Sequence, residues 1–365
     1  MKNYVLNEGY GNTRFYFDKA SKDKIFAKKK TFIDLSNCAG SIILGHNHKY
    51  FNQSLKDYIK KKISNFAHPN EYASNFSKTI KKIFPSFNDI IYCNSGTEAV
   101  TKSLRISRAI NKKKFIVSVS GSWHGSVDQL LFSPGKNLKP NPLSAGLTEN
   151  SLKNIYFIPY GDIEKSKKIL DNIKNNINCL IIEPIQASLP SKNPSKYLKF
   201  LEKYCKKNKI ILIFDEIITG IRSNKFSVQK NYNIKPDITI IGKVFGGGLP
   251  IGIIGISKKI KQRLKKLNIK VFFGGTFSGN SLSTFIGNNI ISYIFKNKNI
   301  IKEINKKSEF FENHLNKFIL ENNLDVKIYR YASILRIVYT KKKLQNRIQR
   351  DFFEKKVLKK ISLLR

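Results

Sequence analysis

Short apolar runs alternate with longer amphipathic stretches along most of the chain. Six of the short runs are rich in β-branched residues, as buried strands are, and they lie at 90–93, 115–119, 155–158, 179–182, 210–214 and 238–241. The longer stretches have helical periodicity and predict helices at 50–62, 98–110, 163–175, 197–208, 257–267 and 300–321. This alternation predicts an α/β fold with a mostly parallel, mixed central sheet that is flanked by helices.

The two ends of the chain have a different pattern. After the last long helix, only two strand-like stretches follow, at 326–329 and 335–339. We therefore expect a large domain at 51–290 and a smaller α+β domain that is built from residues 1–50 and 291–365.

The charge of the chain is strongly positive. It has 67 Lys and Arg residues against 25 Asp and Glu residues, a formal charge of +42. Such an excess is typical of proteins that bind nucleic acid or membrane surfaces. However, the lysines are scattered through the whole sequence, and no basic stripe with interleaved aromatics is found. We therefore expect no specific nucleic-acid partner, although the charge could attract anionic substrates.

The cysteines and the apolar runs indicate the compartment. Cys38, Cys93, Cys179 and Cys205 are far apart in the sequence, which argues against a zinc site or a disulfide framework. The apolar fraction of 41% predicts a folded globular protein, and no apolar run is long enough to span a bilayer. The expectation is a cytoplasmic protein without a membrane partner and without a metal.

One lysine stands at the end of a predicted buried strand. Lys243 follows the run at 238–241 and precedes the glycines at 246–248. Burial lowers the pKa of an amine and makes it a nucleophile towards carbonyl groups, and glycines let a flat ligand approach the backbone. Taken alone, the lysine could equally extend to the surface.

Two other strand ends carry candidate binding residues. Ser95, Gly96 and Thr97 begin a helix, where backbone N–H groups and hydroxyls can bind an anion, although an ordinary helix cap is the alternative. Trp123 and His124 follow the next strand. The ring of Trp123 could lie flat on a planar cofactor, or both residues could be structural.

Two carboxylates, Asp215 and Glu216, end the apolar strand at 210–214. An uncompensated charge there would be costly, so we expect a cationic partner, which could be a metal, Arg222 or a protonated ring nitrogen. The ends of neighbouring strands meet at one edge of an α/β sheet, where ligands bind, and this would bring Asp215 close to Lys243.

Together these pieces supply an anion site, a flat aromatic, a carboxylate and an amine, which are the groups that pyridoxal 5'-phosphate (PLP) needs. The chain also resembles the class III aminotransferases of fold type I, and within them the glutamate-1-semialdehyde 2,1-aminomutase branch. The segments that carry this resemblance run in family order and are 95–99, 123–125, 183–184, 215–222, 236–237, 242–252 and 275–280.

The resemblance implies a role for each site residue. Lys243 would hold PLP as a Schiff base and then act as the catalytic base, and Asp215 would keep the ring nitrogen protonated. Trp123 and Ile217 would lie on the two faces of the ring. The further cofactor-binding residues that it implies are Ser95, Gly96, Thr97 and His124, with Thr276 supplied by the neighbouring subunit of a homodimer.

Two positions bear on the substrate. Ile218 resembles the aminomutase branch, since many class III transaminases have glutamine there. The segment 11–14 is similar to one that brings an arginine to the substrate carboxylate, so Arg14 is either a substrate-binding residue or a solvated surface residue. The part of the chain after Thr276 is shorter than in relatives, which bears on the substrate site more than on the cofactor site.

Three functions are consistent with these patterns. The first is a PLP-dependent aminomutase that moves an amino group within one small molecule. The second is an intermolecular transaminase for a β-amino acid, an amine or an amino sugar. The third is a degenerate PLP-binding scaffold without catalysis, although the retention of both Asp215 and Lys243 argues against it.

Overall fold

The computed structural model describes residues 16–190, 193–344, 347 and 349–354. Its strands, numbered in chain order, are β1 Lys19–Ser21, β2 Lys24–Ala27, β3 Lys30–Ile33, β4 Asp89–Cys93, β5 Phe115–Val119, β6 Phe132–Pro134, β7 Pro140–Pro142, β8 Ile155–Ile158, β9 Ile177–Ile182, β10 Ile211–Asp215, β11 Ile238–Gly242, β12 Gly252–Ile256, β13 Lys327–Tyr331 and β14 Ile334–Val338. Its helices are α1 Asn37–Gly40, α2 Lys49–Lys60, α3 Glu71–Ile83, α4 Gly96–Asn111, α5 Glu149–Asn154, α6 Ile163–Ile173, α7 Ser195–Lys207, α8 Val228–Tyr232, α9 Lys258–Lys266, α10 Ser281–Lys296 and α11 Asn299–Glu321. Short 3-10 helices lie at Lys136–Leu138, Lys174–Asn176 and Lys243–Gly246.

Seven strands form the central sheet, in the order β4-β12-β11-β10-β9-β5-β8. Strands β8, β5, β9, β10 and β11 pair in parallel, whereas β12 is antiparallel to both β11 and β4. Strands β9 to β12 are buried along their whole length, which explains the continuous apolar runs in the sequence. The predicted α/β fold with a mostly parallel, mixed sheet is confirmed.

Six of these seven strands were predicted from the sequence, and β12 was not. It follows β11 after the Lys243 turn and returns antiparallel beside it, so the alternation of strand and helix is broken there. Helix α3 was also missed, because only three of its side chains, Phe76, Ile80 and Ile83, are buried among polar neighbours.

Helices cover both faces of the sheet. Helix α4 packs on one face against β9, β11 and β12, and α7 packs on the other face against β10. Their inward side chains, such as Leu104 on α4 and Leu201 on α7, are fully buried, and each contributes about 1.5–3 kcal/mol by leaving water. Because both faces are covered, the carboxyl edge of the parallel strands is where a ligand can approach.

The ends of the chain form separate small sheets. Strands β1 to β3 make an antiparallel sheet, and β13 pairs with β14 in an antiparallel hairpin. The division into domains at residues 50 and 290 stays a prediction, and α10 continues through residue 290. In the described ranges, no helix combines the length and the apolar character that crossing a membrane requires.

Candidate active site

Strands β10 and β11 are parallel neighbours, so their carboxyl ends lie at the same edge of the sheet. Asp215 is the last residue of β10, and Lys243 directly follows the last residue of β11. Asp215 pairs with Ile240 in the register of the two strands, so Lys243 follows three residues further along at the same edge. Burial lowers the pKa of the Lys243 amine, and the charges of Glu183 and Asp215 oppose this effect. The structure thus places the two groups at one site.

The Lys243 side chain is partly buried. Its Nζ donates a hydrogen bond to the backbone carbonyl of Ala39, at 3.0 Å. Burial lowers the pKa of this amine, against the opposing effect of the nearby carboxylates. A larger fraction of the amine is therefore neutral near pH 7 than in an ordinary lysine. An extended surface lysine, the alternative considered from the sequence, is not what the structure contains.

Asp215 is buried, and both of its carboxylate oxygens have partners. Oδ2 lies 2.8 Å from Nδ1 of His124, and Oδ1 accepts a hydrogen bond from the backbone N–H of Ile217 at 3.1 Å. His124 is itself 4% exposed, and its Nε2 has no hydrogen-bond partner among the described residues. Because such unpaired buried atoms are rare, His124 has the capacity to contact one further group.

For Glu216, the prediction of a cationic partner is wrong. Its carboxylate accepts hydrogen bonds from the backbone N–H groups of Val228 and Gln229, from the amide of Gln229 and from the hydroxyl of Thr219. These neutral donors compensate for burial, which raises the pKa of Glu216. Arg222, the candidate partner, instead donates to the carbonyls of Gly40 and Ile218. No cluster of possible metal ligands occurs within the part of the chain that the structure describes.

The first turn of α4 lies against the same site. Ser95 caps the helix, since its Oγ accepts a hydrogen bond from a first-turn N–H at 3.1 Å. A Cβ at Gly96 would lie 2.5 Å from Cδ1 of Ile217, so only glycine permits this approach. The hydroxyl of Thr97 accepts from the N–H of Ser126 at 3.2 Å. The N-terminus of this 16-residue helix can therefore be both capped by Ser95 and open to an anion.

Trp123 is 46% exposed, so its ring is not part of the core, as a purely structural role would have required. Its backbone N–H donates to Oε1 of Glu183 at 2.6 Å, and the guanidinium of Arg347 lies 5.6 Å from the centre of its ring. Ile217 is only partly buried and packs against Gly96. The site thus offers an aromatic face and an aliphatic surface, which are the contacts that a planar ring requires.

Glu183 belongs to the site, although the sequence indicated it only as part of the family resemblance. Its carboxylate is buried and accepts from the N–H groups of Trp123 and Ala187, at 2.6 and 3.2 Å. Burial raises its pKa to about 7, and the nearby charge of Asp215 acts in the same direction. A signal was present in the sequence, because Glu183 follows the end of a buried strand as Asp215 ends the next one.

Glu183 is expected to make stability depend on pH. Its pKa in the folded protein is about 7 against an ordinary 4.5, so between these values the unfolded chain releases the proton and the folded chain keeps it. The free energy of unfolding, relative to Glu183→Gln, should therefore fall by about 3 kcal/mol as the pH rises from about 4.5 to 7. Urea unfolding of both proteins across this range measures the difference. A difference that does not change with pH would contradict the shift.

Thr276 and Arg14 are not placed at the site. Thr276 is exposed in a loop that is tied to α4, where Lys102 donates to the carbonyl of Phe273 at 2.8 Å. Beside it, Phe272 and Phe277 are 77% and 57% exposed. Arg14 lies outside the described residues, so its proposed contact with a substrate stays a prediction.

The groups at this edge fit PLP. The N-terminus of α4 suits a phosphate, and Trp123 offers a flat surface to the ring. Asp215, whose partner His124 has an unpaired Nε2, suits a protonated ring nitrogen. The Lys243 amine, whose pKa burial lowers, suits an aldehyde.

Comparisons with known proteins agree with this fit. A family model described as "Aminotransferase class-III" matches residues 6–352. The chain is 37% identical over 316 residues to a glutamate-1-semialdehyde 2,1-aminomutase from Wigglesworthia glossinidia brevipalpis. The aligned residues cover 85% of this chain and 72% of that protein. It is 32% identical over 329 residues to a protein of the same name from Archaeoglobus fulgidus, with 89% and 78% covered.

Solved structures share the fold. An omega-transaminase from Sphaerobacter thermophilus superposes with a TM-score of 0.84 at 22% identity and covers 96% of this chain and 81% of that one. A glutamate-1-semialdehyde-aminomutase from Pseudomonas aeruginosa PAO1 superposes with a TM-score of 0.82 at 16% identity, with 94% and 77% covered. With the family match over most of its length, the chain belongs to the class III aminotransferases and is a PLP-dependent enzyme.

Proposed function

We propose that this enzyme is an aminomutase that moves the amino group of glutamate-1-semialdehyde from carbon 2 to carbon 1. The observation that carries the proposal is the meeting of Lys243 and Asp215 at neighbouring strand ends, beside the N-terminus of α4. The substrate is supported by the shared name of the two relatives described above.

The geometry of the site supports a role for each residue. PLP, when bound, withdraws electrons from the substrate carbon that carries the amino group and makes its proton acidic. Lys243 would hold the cofactor covalently, and Asp215, oriented by His124, would face its ring nitrogen. The residues proposed to line the rest of the cofactor are Ser95, Gly96 and Thr97 at the phosphate and Trp123 and Ile217 at the ring.

Lys243 is suited to moving the proton. Once the substrate amine has displaced it from the cofactor, Nζ would be free, and because burial lowers the pKa of this amine it could accept a proton from carbon 2 of the substrate. The nearby carboxylates of Glu183 and Asp215 stabilise the ammonium that results. The same group can then donate a proton to carbon 1, so one side chain serves both carbons.

The proposal predicts conversion of a single compound. The purified enzyme with PLP should turn glutamate-1-semialdehyde into 5-amino-4-oxopentanoate without an added amino donor or acceptor, because the amino group stays in one molecule. Chromatography of the product measures this. A requirement for a second amino acid or keto acid would identify an intermolecular transaminase instead. Binding of PLP without conversion of any amino compound would favour the scaffold.

We also propose a cytoplasmic homodimer in which Thr276 of each chain reaches the site of its neighbour. The exposed Phe272 and Phe277 beside Thr276 support an interface there. The free thiols, three of them buried, are typical of a reducing compartment. Light scattering tests the dimer, and a molar mass of one chain would contradict it.

A further inference from the structure

Arg222 is a buried cation that the proposed chemistry leaves without a role. The residue is 8% exposed, and burial lowers the pKa of its guanidinium to about 10. In the part of the chain that the structure describes, no carboxylate forms an ion pair with it. A buried charge without a counter-ion is unfavourable unless its hydrogen bonds are well made, so the hydrogen-bond partners of Arg222 indicate its role.

The guanidinium joins three segments that are distant in sequence. Its Nε donates to the carbonyl of Ile218, at 2.8 Å, in the loop after β10. Its Nη2 donates to the carbonyl of Gly40, at the end of α1. Its Nη1 lies 3.1 Å from the hydroxyl of Ser333, between β13 and β14. The planar fork of arginine makes such simultaneous contacts possible.

The segment held at Gly40 has a strained backbone. Asn37, Cys38 and Ala39 have φ values of 48°, 52° and 50°, so three consecutive non-glycine residues are left-handed. Such conformations persist only where surrounding contacts impose them, and they cluster at functional sites. Gly40 has φ 83°, and a Cβ there would lie 2.7 Å from Nη2 of Arg222. Its lack of a side chain allows the close contact.

The strained turn, residues 37–40, also contacts the reactive amine. The carbonyl of Ala39 accepts the hydrogen bond from Nζ of Lys243 at 3.0 Å. The next residue, Gly40, supplies the carbonyl that Arg222 binds. A continuous set of contacts therefore runs from the guanidinium through two adjacent peptide groups to the lysine.

We propose that Arg222 is a positioning residue that holds the turn at 37–40 in place, and that this turn fixes the resting position of the Lys243 amine. The turn thereby sets the space beside the amine that is open to a substrate. This role rests on the proposed function of Lys243. Arg222 acts through the turn and does not itself touch the reacting groups.

Site-resolved acylation tests this role without cofactor or substrate. The full chain is treated briefly with acetic anhydride, which attacks neutral amines, and the extent of modification of each lysine is read by peptide mass spectrometry. Lys259 and Lys261, with side chains 49% and 52% exposed, serve as references within the same sample. Because no PLP is needed, the result does not depend on whether the proposed reaction occurs.

Arg222→Lys is the decisive variant. It keeps a cation among the charged and titratable groups that face Lys243, which are Glu183, Asp215 and Cys38, but it cannot bind both carbonyls through a fork. Acylation of Lys243 is expected to rise by about fivefold relative to the reference lysines, the change that corresponds to one lost hydrogen bond.

Two further variants complete the test. Ser333→Ala removes the contact of Arg222 with the Ser333 hydroxyl and leaves its contacts with both carbonyls. The extent of Lys243 acylation in this variant should therefore equal that in the protein without substitutions. Gly40→Ala places a methyl group against Nη2 of Arg222 and so disturbs the contact between Arg222 and Gly40. Acylation of Lys243 in this variant should resemble that in Arg222→Lys. Unchanged acylation in folded Arg222→Lys, or an equal rise in Ser333→Ala, would overturn the proposal. Failure of both Arg222→Lys and Gly40→Ala to fold would assign Arg222 to fold stability and overturn it as well.

Discussion

Lys243→Ala is expected to lower the turnover of this enzyme by about 10⁴-fold, the upper range for loss of an acid–base group. The variant should also lack the visible absorbance of covalently held PLP, because it removes the amine that follows β11 at the end of the strand beside Asp215. The fold should persist, since among the described residues the side chain makes one hydrogen bond, to Ala39, worth about 1 kcal/mol. Steady-state kinetics, absorbance spectra and thermal unfolding measure the three effects.

Two matched variants sharpen this prediction. Lys243→Arg keeps a cation in place but offers no neutral amine, so its activity should be lost to the same extent. Lys261→Ala removes an exposed lysine that pairs with Asp89 on the surface, and its activity should be unchanged. If Lys243→Arg retained most of the activity, the positive charge rather than the amine would be the essential property.

Most of the central sheet could be predicted from the sequence because its middle strands, β9 to β11, are buried along their whole length and therefore read as continuous apolar runs. Strands β5 and β8 lie where the apolar runs indicated, and β9, β10 and β11 differ by one or two residues at their ends. Strand β12 could not be recognised in the same way. It is as apolar as the others, but its place in the sheet follows from the short Lys243 turn and from tertiary pairing with β4.

The candidate site was only partly accessible from the sequence. The ends of β10 and β11 gave Asp215 and Lys243, because parallel neighbours finish at one edge. The contact of Lys243 with Ala39 joins residues that are 204 positions apart, and the link from Arg222 to Gly40 spans 182 positions. A pattern of neighbouring residues in the sequence cannot predict contacts between residues so far apart. Only the folded chain shows that the strained turn at 37–40 lies against the amine.

Apart from the family resemblance, the apolar run that ends at Phe214 does not distinguish Asp215 from Glu216. Both end the same apolar run, and both are buried. Side chains alternate between the two sides of a strand, so adjacent residues point in opposite directions. The structure directs Asp215 towards His124 and Ile217, and it directs Glu216 towards the backbone of Val228 and Gln229.

Asp215→Asn is therefore expected to lower activity, whereas Glu216→Gln is expected to lower stability. Asn at position 215 can still accept from Ile217 and face His124, but it lacks the charge that a protonated ring nitrogen requires. We expect kcat/KM to fall by about 10²–10³-fold, with little change in the free energy of unfolding. Kinetics and urea unfolding, measured on the same preparations, provide both values.

Glu216→Gln should instead lower the free energy of unfolding by about 1–3 kcal/mol, because its amide places a donor against the N–H groups of Val228 and Gln229. Activity per folded molecule should change little, since this carboxylate faces the interior rather than Lys243. A larger loss of activity in Glu216→Gln than in Asp215→Asn would place the chemistry on the other side of β10. In that case, neither the orientation of Asp215 by His124 nor its pairing with the cofactor could stand.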